Sequence, residues 1–282
     1  YYSKGHPDVQ AGLTPQTAVQ PDGTVSVTVV ATVSPGPLVH VGEVRFTGNR
    51  YTHESILRRL VESSPGDLLN PIKFDNAEAR ISRLGAFSAV NLQYQPPAAA
   101  TRDPVYAVTE GRRQEVSLFA GYGSYEQLRG GLEWEHYNLF GLAHTSSLKL
   151  IESMKSSEGD YTYTVPELFG TTLDGSARAF GLHRQEPSFL HDEYGANVSL
   201  LWPLHQVGVN LTTGYTFKHA RDTNNELATE PTDQVQADIA SIDIGVVRER
   251  RDNPLRPRKG YKLFVQAELA NRALGGQVVY QQ

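Results

Sequence analysis

The densest run of ionisable side chains is Arg248-Glu249-Arg250-Arg251-Asp252-Asn253-Pro254-Leu255-Arg256-Pro257-Arg258-Lys259-Gly260. As a charge run it reads first as a solvated turn between two strands. The histidines His136, His144, His183, His191, His205 and His219 are scattered, with no ligand-like spacing. Cysteine is absent, which removes disulfides and thiolate metal sites. The chain has no Gly-x-Ser-x-Gly elbow, no His-Glu-x-x-His and no phosphate-cradling Gly-Lys-Ser/Thr loop. A triad drawn from distant strands would leave no local motif, so this counts only weakly. The expectation is a protein that is not an enzyme and uses no metal or cofactor.

The elements that must carry these residues change character at Gln114–Tyr122. Val116, Leu118, Ala120 and Tyr122 alternate with Glu115, Ser117, Phe119 and Gly121, the period of an extended strand. Upstream, short strands mix with amphipathic helices. A hairpin is predicted from runs near Val9–Leu13 and Val25–Val33 around the turn Gln20–Gly23. Pro35-Gly36-Pro37 marks a boundary. A strand over Val41–Phe46 follows, then a helix over about His53–Val61 with Thr52 as N-cap. A second helix runs over about Pro71–Leu84, with Phe74, Ala77, Ile81 and Leu84 on one face and Gly85 at its C-terminal end. Strands Ala89–Gln95 and Val105–Thr109 complete a β-α-α-β-β unit.

Downstream, one long alternating strand follows another. One face is Leu, Val, Ala and aromatic, and the other carries Gly, Asn, Thr, Arg, Glu and Lys. The apolar phase flips near Ala240–Ile242, which suggests a bulge. Connections alternate between short turns such as Asn138–Gly141 and polar loops such as Asp222–Asp233. No run of about 18 apolar residues exists, so no transmembrane helix is expected. Barrel strands need only about 9–11 alternating residues, and this pattern fits them, with apolar residues to lipid and polar ones to the lumen. The net charge of −5 gives no argument for nucleic acid. The first and last residues read as the ends of a fragment, helix tail and mid-strand.

Several motifs resemble the POTRA repeat: Val44-Arg45-Phe46-Thr47-Gly48-Asn49, Pro65-Gly66-Asp67 and Leu84-Gly85-Ala86-Phe87-Ser88-Ala89-Val90. The opening hairpin, after Gly5-His6-Pro7-Asp8-Val9, resembles the end of a preceding POTRA. Arg251, Asp252, Pro254, Pro257 and Gly260 resemble a signature stretch in the barrels of bacterial outer-membrane assembly factors of the BamA and TamA type. The resemblance implies an α+β POTRA domain followed by an all-β antiparallel transmembrane barrel, with about ten of about sixteen strands present. The implied domains are 1–38, the C-terminal hairpin of a preceding POTRA; 39–112, a complete POTRA; and 113–282, the N-terminal part of the barrel.

It further implies a place in the bacterial outer membrane with the POTRA in the periplasm, and a role in inserting or translocating other proteins. Its partners would be the lipid bilayer, unfolded outer-membrane or secreted substrates, and periplasmic chaperones or accessory lipoproteins, with no nucleic acid. Gln114, Val116, Leu118, Ala120 and Tyr122 would pair with an incoming strand at a lateral seam. Val90, Leu92 and Tyr94 would form a substrate-receiving POTRA edge. The alternatives are a two-partner secretion transporter, the barrel anchor of a POTRA-linked lipase, and a diffusion porin, which would have no need of a POTRA.

Overall fold

Alternating valines pair β1 (Gln10–Val19) with β2 (Val25–Ser34) in an unbroken antiparallel ladder, Gln10↔Ser34 to Val19↔Val25. The structure, a computed structural model, describes residues 1–19, 25–204, 207–223, 235–253 and 255–282. The turn expected at Gln20–Gly23, most of the loop expected over Asp222–Asp233, His205 and Pro254 lie outside the described residues. The chain divides into units Tyr1–Gly111 and Arg112–Gln282.

In the first unit, the strand predicted over Val41–Phe46 is split into β3 (His40–Val41) and β4 (Arg45–Thr47). The Gly42 N–H still bonds β6, donating to the Arg102 carbonyl at 2.7 Å, but the Glu43 N–H donates to the Asp103 side chain (Oδ1) at 2.8 Å, which interrupts the backbone ladder. The first helix, α1 (Glu54–Arg58), is shorter than predicted, and Thr52 does not cap it. The Thr52 hydroxyl, the Thr52 N–H and the Tyr51 N–H all donate to Glu110 Oε1, at 2.8, 2.7 and 2.9 Å. The helix begins one residue later, with His53 at the N-cap position, and the charge-assisted bonds to Glu110 fix Thr52 outside it. Burial opposes ionisation of Glu110, but these donors outweigh it and hold the carboxyl below its ordinary range.

The second helix, α2 (Pro71–Arg83), starts at a proline and is capped by Asn70, whose side chain accepts the Ile72 N–H at 3.2 Å. It is followed by β5 (Phe87–Gln95) and β6 (Thr101–Glu110). The latter strand is central, with β3 and β4 parallel to it on one side and β5 antiparallel on the other. The core packs Leu57, Leu60, Phe74, Ile81 and Tyr106. The Tyr106 ring stacks on Phe46 at 5.4 Å, and its buried hydroxyl donates to the Phe74 carbonyl at 3.1 Å. Gly48, inside the Thr47-Gly48-Asn49 turn, has φ 91°, and a Cβ there would overlap the Val108 carbonyl oxygen. The motif glycine is therefore dictated by backbone geometry.

The second unit is one antiparallel sheet in chain order. Its strands are β7 (Gln114–Gly123), β8 (Gln127–Leu139), β9 (His144–Ser153), β10 (Ser156–Val165), β11 (Asp174–Gln185), β12 (Leu190–Leu204), β13 (Val209–Thr223), β14 (Val235–Glu249), β15 (Lys262–Ala270) and β16 (Tyr280–Gln281). The three central ones reach 15 residues, well beyond the about 5–6 usual in soluble sheets.

The bulge expected near Ala240–Ile242 is not there: β13 and β14 pair without a break from Asp222↔Val235 to Val209↔Arg248. The phase change is absorbed by side chains instead. Asp238 sits on the otherwise apolar face, where it takes His219 Nδ1 at 2.7 Å and the Gln277 side-chain amide at 3.2 Å. Its charge is satisfied in place, so no inserted residue is required. The irregular spot lies between β8 and β9, at His136/Leu139, where Asn138 adopts φ 60° and accepts the Ala143 N–H at 2.9 Å.

Register fixes which side chains share a face. Leu118, Leu132, Leu150, Gly159, Gly181, Tyr194 and His219 form one row across successive strands. On this face Val116, Val198, Trp202, Ile244 and Val265 are all exposed, which fits contact with lipid rather than water. The opposite face carries the Lys218–Glu193 ion pair at 3.0 Å, the Arg178–Asp160 pair and the His191–Asp222 pair at 2.7 Å.

Candidate functional site

Among the described residues, β7 is paired on one side only, by β8. The Tyr137 N–H donates to the Arg113 carbonyl at 2.8 Å, in the same register that aligns Gln114 with His136. In an antiparallel ladder both backbone groups of a residue point to the same neighbour, and successive residues alternate. Glu115, Ser117, Phe119 and Gly121 therefore bond β8. Gln114, Val116, Leu118, Ala120 and Tyr122 direct N–H and C=O to the edge that no described strand pairs.

These five are the seam residues expected from the sequence, and their side chains are also the ones on the apolar face. Leu118 and Tyr122 are each 78% exposed. A groove of about 1070 Å³ runs from Leu118 along the apolar row past Leu132, Leu150 and Gly159 to Tyr194. On the polar face the Phe119 ring lies directly over Gly131 of β8, its cross-strand partner, and anchors the strand to its one neighbour.

The second expected site is β5. Its Leu92 N–H points away from β6, as does that of Val90 and Tyr94 by alternation. This edge is not bare: Glu78 of α2 reaches over and accepts the Leu92 N–H at 3.0 Å. The side chains of Val90, Leu92 and Tyr94 are half-buried, Tyr94 meeting Phe74 edge-on at 6.1 Å. The Tyr94 hydroxyl has no hydrogen-bond partner among the described residues. Burial, then the nearby Asp75 and Glu78, raises its pKa. A strand added at this edge would have to displace Glu78. Glu78→Ala is expected to expose the edge and tighten binding of an extended peptide about tenfold or more, the worth of one charge-assisted bond (about 1.5 kcal/mol or more) that no longer has to be broken. Fluorescence anisotropy with a labelled peptide measures it, and unchanged or weaker binding would contradict the guarded edge.

The third group, Arg251, Asp252, Pro257 and Gly260, does not join the other two. It forms the connection between β14 and β15. Asp252 Oδ1 accepts the backbone N–H groups of Asn253, Arg258 and Lys259 at 2.9, 2.9 and 3.1 Å. Those from Lys259 and Arg258 do most to hold its carboxyl below the usual range. Arg251 Nε donates to Glu249 at 2.7 Å. Gly260, at φ 98°, lies where a Cβ would overlap the Arg250 carbonyl. The signature is a turn wound around one carboxylate, with Pro254 outside the described residues.

The sequence did not reveal the pairing of His183 with Asp192, His191 with Asp222 and His219 with Asp238. Each couple is directly opposed on neighbouring strands. No three His, Asp or Glu side chains converge on a metal-sized site among the described residues. No helix among them is long and apolar enough to cross a membrane, which says nothing of a β-barrel.

A POTRA family model, described as a surface antigen variable number repeat, matches residues 39–111, and the Omp85 superfamily domain matches residues 138–282. The chain is similar to the outer membrane protein assembly factor BamA of Neisseria meningitidis, 27% identical over 275 residues. That match covers 88% of this chain and 34% of the relative. BamA of Neorickettsia risticii is 25% identical over 251 residues, covering 85% and 33%. The chain thus spans about a third of the length of these curated relatives. Among solved structures, BamA from Haemophilus ducreyi lacking POTRA domains 1–3 superposes with TM-score 0.69 at 19% identity, over 96% of this chain and 55% of that one. CdiB from Acinetobacter baumannii superposes with TM-score 0.61 at 13% identity, over 99% and 52%. At these identities the two structures speak to the fold alone.

Proposed function

Because the chain belongs to the Omp85 superfamily, we propose that it inserts other proteins into the outer membrane, with the edge of β7 that no described strand pairs serving as one side of a lateral seam that templates their strands. It sits in the outer membrane with its POTRA domain on the periplasmic side. The observation that carries the proposal is the parity of β7. Gln114, Val116, Leu118, Ala120 and Tyr122 aim their backbone groups at the edge that no described strand pairs, and their side chains at the apolar face. Inside a bilayer each such group lacks water and gains a partner only from another strand. A substrate strand that pairs there satisfies both its own groups and those of β7 by β-augmentation. The β5 edge, once Glu78 yields, would hold the substrate in extended form beforehand. Periplasmic chaperones or accessory lipoproteins would deliver it.

A single cysteine at Leu118 or Ala120 is expected to form a disulfide with cysteines along the terminal strand of a stalled outer-membrane substrate. The yield should step two residues at a time, because neighbours face opposite sides of the sheet. Insertion that proceeds with no crosslink from any β7 position would remove the template. A second reading follows from the charged polar face: a transporter would pass a dedicated substrate along Arg178, Asp160, Lys218 and Glu193, and would not depend on the β7 edge.

A further inference from the structure

The turn after β14 concentrates more positive charge than the acids within it can neutralise. Residues 248–260 hold Arg248, Arg250, Arg251, Arg256, Arg258 and Lys259 against only Glu249 and Asp252, in a chain whose net charge is −5. Both acids are already committed. Glu249 pairs with Arg251, and Asp252 is filled by backbone N–H groups. Asn253 Oδ1 adds bonds from the Leu255 and Arg256 N–H groups at 2.8 and 3.0 Å. Winding the backbone inward in this way turns Arg256, Arg258 and Lys259 outward, all exposed. Leu255 stands among them at 92% exposure, an apolar tip within a cationic collar.

Position supplies the second argument. The apolar face of β14 runs Ile242, Ile244, Val246 and then Arg248, whose guanidinium lies over the Tyr261 ring at 5.9 Å. An aliphatic strip that ends in an arginine on a tyrosine marks a bilayer boundary, where long cations reach to headgroups and aromatic rings sit at their level. Strands alternate in direction, so this turn lies at the same end of the sheet as Gln114, where the chain enters from the POTRA domain.

We propose that the 248–260 turn binds the phosphate headgroups of anionic phospholipids in the periplasmic leaflet, with Arg256, Arg258 and Lys259 as the cations and Leu255 inserted among the acyl chains. The proposal rests on the sheet spanning the membrane. An acidic peptide is the other anion that could meet this charge. The adjoining lipid-facing strip and the exposed leucine favour the lipid.

The two tryptophans allow a test within the whole chain. Trp202 shares a row with Leu211 and Val246, two strands from β14, roughly 10 Å away, whereas Trp134 on β8 is roughly 29 Å away. Trp134→Phe and Trp202→Phe variants are reconstituted in phosphatidylcholine vesicles containing brominated phosphatidylglycerol or, separately, brominated phosphatidylcholine. The ratio of the two quenching strengths cancels depth. It is expected to be about fivefold higher at Trp202 than at Trp134, a low estimate given what each basic residue contributes at an anionic surface.

Arg256→Glu/Arg258→Glu/Lys259→Glu should bring the two ratios together. The corresponding triple Gln variant serves if charge reversal prevents folding. Quenching of Trp134 by brominated phosphatidylcholine reports independently that the sheet is in the bilayer, so its loss would indict the membrane reading and not the site. Equal ratios at the two tryptophans, or a Trp202 ratio that survives removal of the charges, would overturn the proposal. So would displacement by sodium phosphate beyond that by sodium chloride of equal ionic strength, which would make free phosphate the ligand. Charges that matter only for capture of an acidic peptide would overturn it as well.

Discussion

Leu118→Pro is expected to leave the sheet folded and to slow substrate insertion by about a hundredfold, whereas Ser117→Pro is expected to prevent the sheet from folding. The two positions are neighbours of similar exposure, and only the direction of their N–H groups separates them. At Leu118 the lost N–H faces the edge that no described strand pairs, so the ladder to β8 survives, and proline is tolerated on an edge strand in this orientation. An incoming strand, however, meets a ring where it needs a donor. A penalty of about 3 kcal/mol corresponds to about a hundredfold in rate. At Ser117 the same ring removes a bond to Glu133 and pushes β8 away, at a cost of about 3 kcal/mol or more in the fold itself. Folding is read from heat-modifiable migration on gels, and insertion from the appearance of protease-resistant substrate in proteoliposomes. If both prolines fold and insert alike, the backbone of β7 is not the template.

The second large effect is Gly48→Ala. The residue sits at φ 91°, a region costly for an L side chain, and its Cβ would strike the Val108 carbonyl of β6. Strain and collision together are expected to cost about 3 kcal/mol or more. Since β6 is the centre of its sheet, the loss should spread over the whole POTRA unit and leave the barrel strands untouched. Hydrogen exchange followed by mass spectrometry would show faster exchange across 39–111 and unchanged protection in β8 to β13. Unchanged protection in β6 would mean the turn relaxes freely, contrary to the close approach seen here. Gly66, also at positive φ but with open space around its missing Cβ, is the matched control.

Much of this molecule is legible in one dimension because its two units use different periods. Helical spacing of Phe74, Ala77 and Ile81 gives α2, and Asn70-Pro71 gives its start. Strict alternation through residues 190–223 gives β12 and β13, long enough to cross a bilayer. What could not be read was set by partners distant in sequence. Thr52 looks like a cap until Glu110, 58 residues later, takes its hydroxyl. The strand at 41–46 looks continuous until Asp103 takes the Glu43 N–H. The apolar phase change at Ala240 looks like a bulge because nothing local announces that Asp238 will be met by His219 and Gln277.

The same limit applies to the site. Alternation tells which side chains share a face, and so brings Val116, Leu118 and Ala120 together. Which backbone edge they serve depends on the register with β8, fixed by pairs such as Phe119 over Gly131. The guard on β5 was equally hidden, since Glu78 and Leu92 are 14 residues apart and belong to different elements.

The edge of β7 displays amide hydrogens and carbonyl oxygens, which every polypeptide possesses, and beyond these, past Gln114 at its start, aliphatic and aromatic groups on the apolar face. It is therefore sequence-blind. A surface of this kind cannot tell one client from another, and cannot refuse a wrong one. Selection has to be made earlier in the route, at a place where admission has an energetic threshold. In the proposed role, the carboxylate of Glu78 across the Leu92 amide would be such a threshold. On the proposed reading, the chain would separate an edge that sets a threshold for strand addition from a template that sets none.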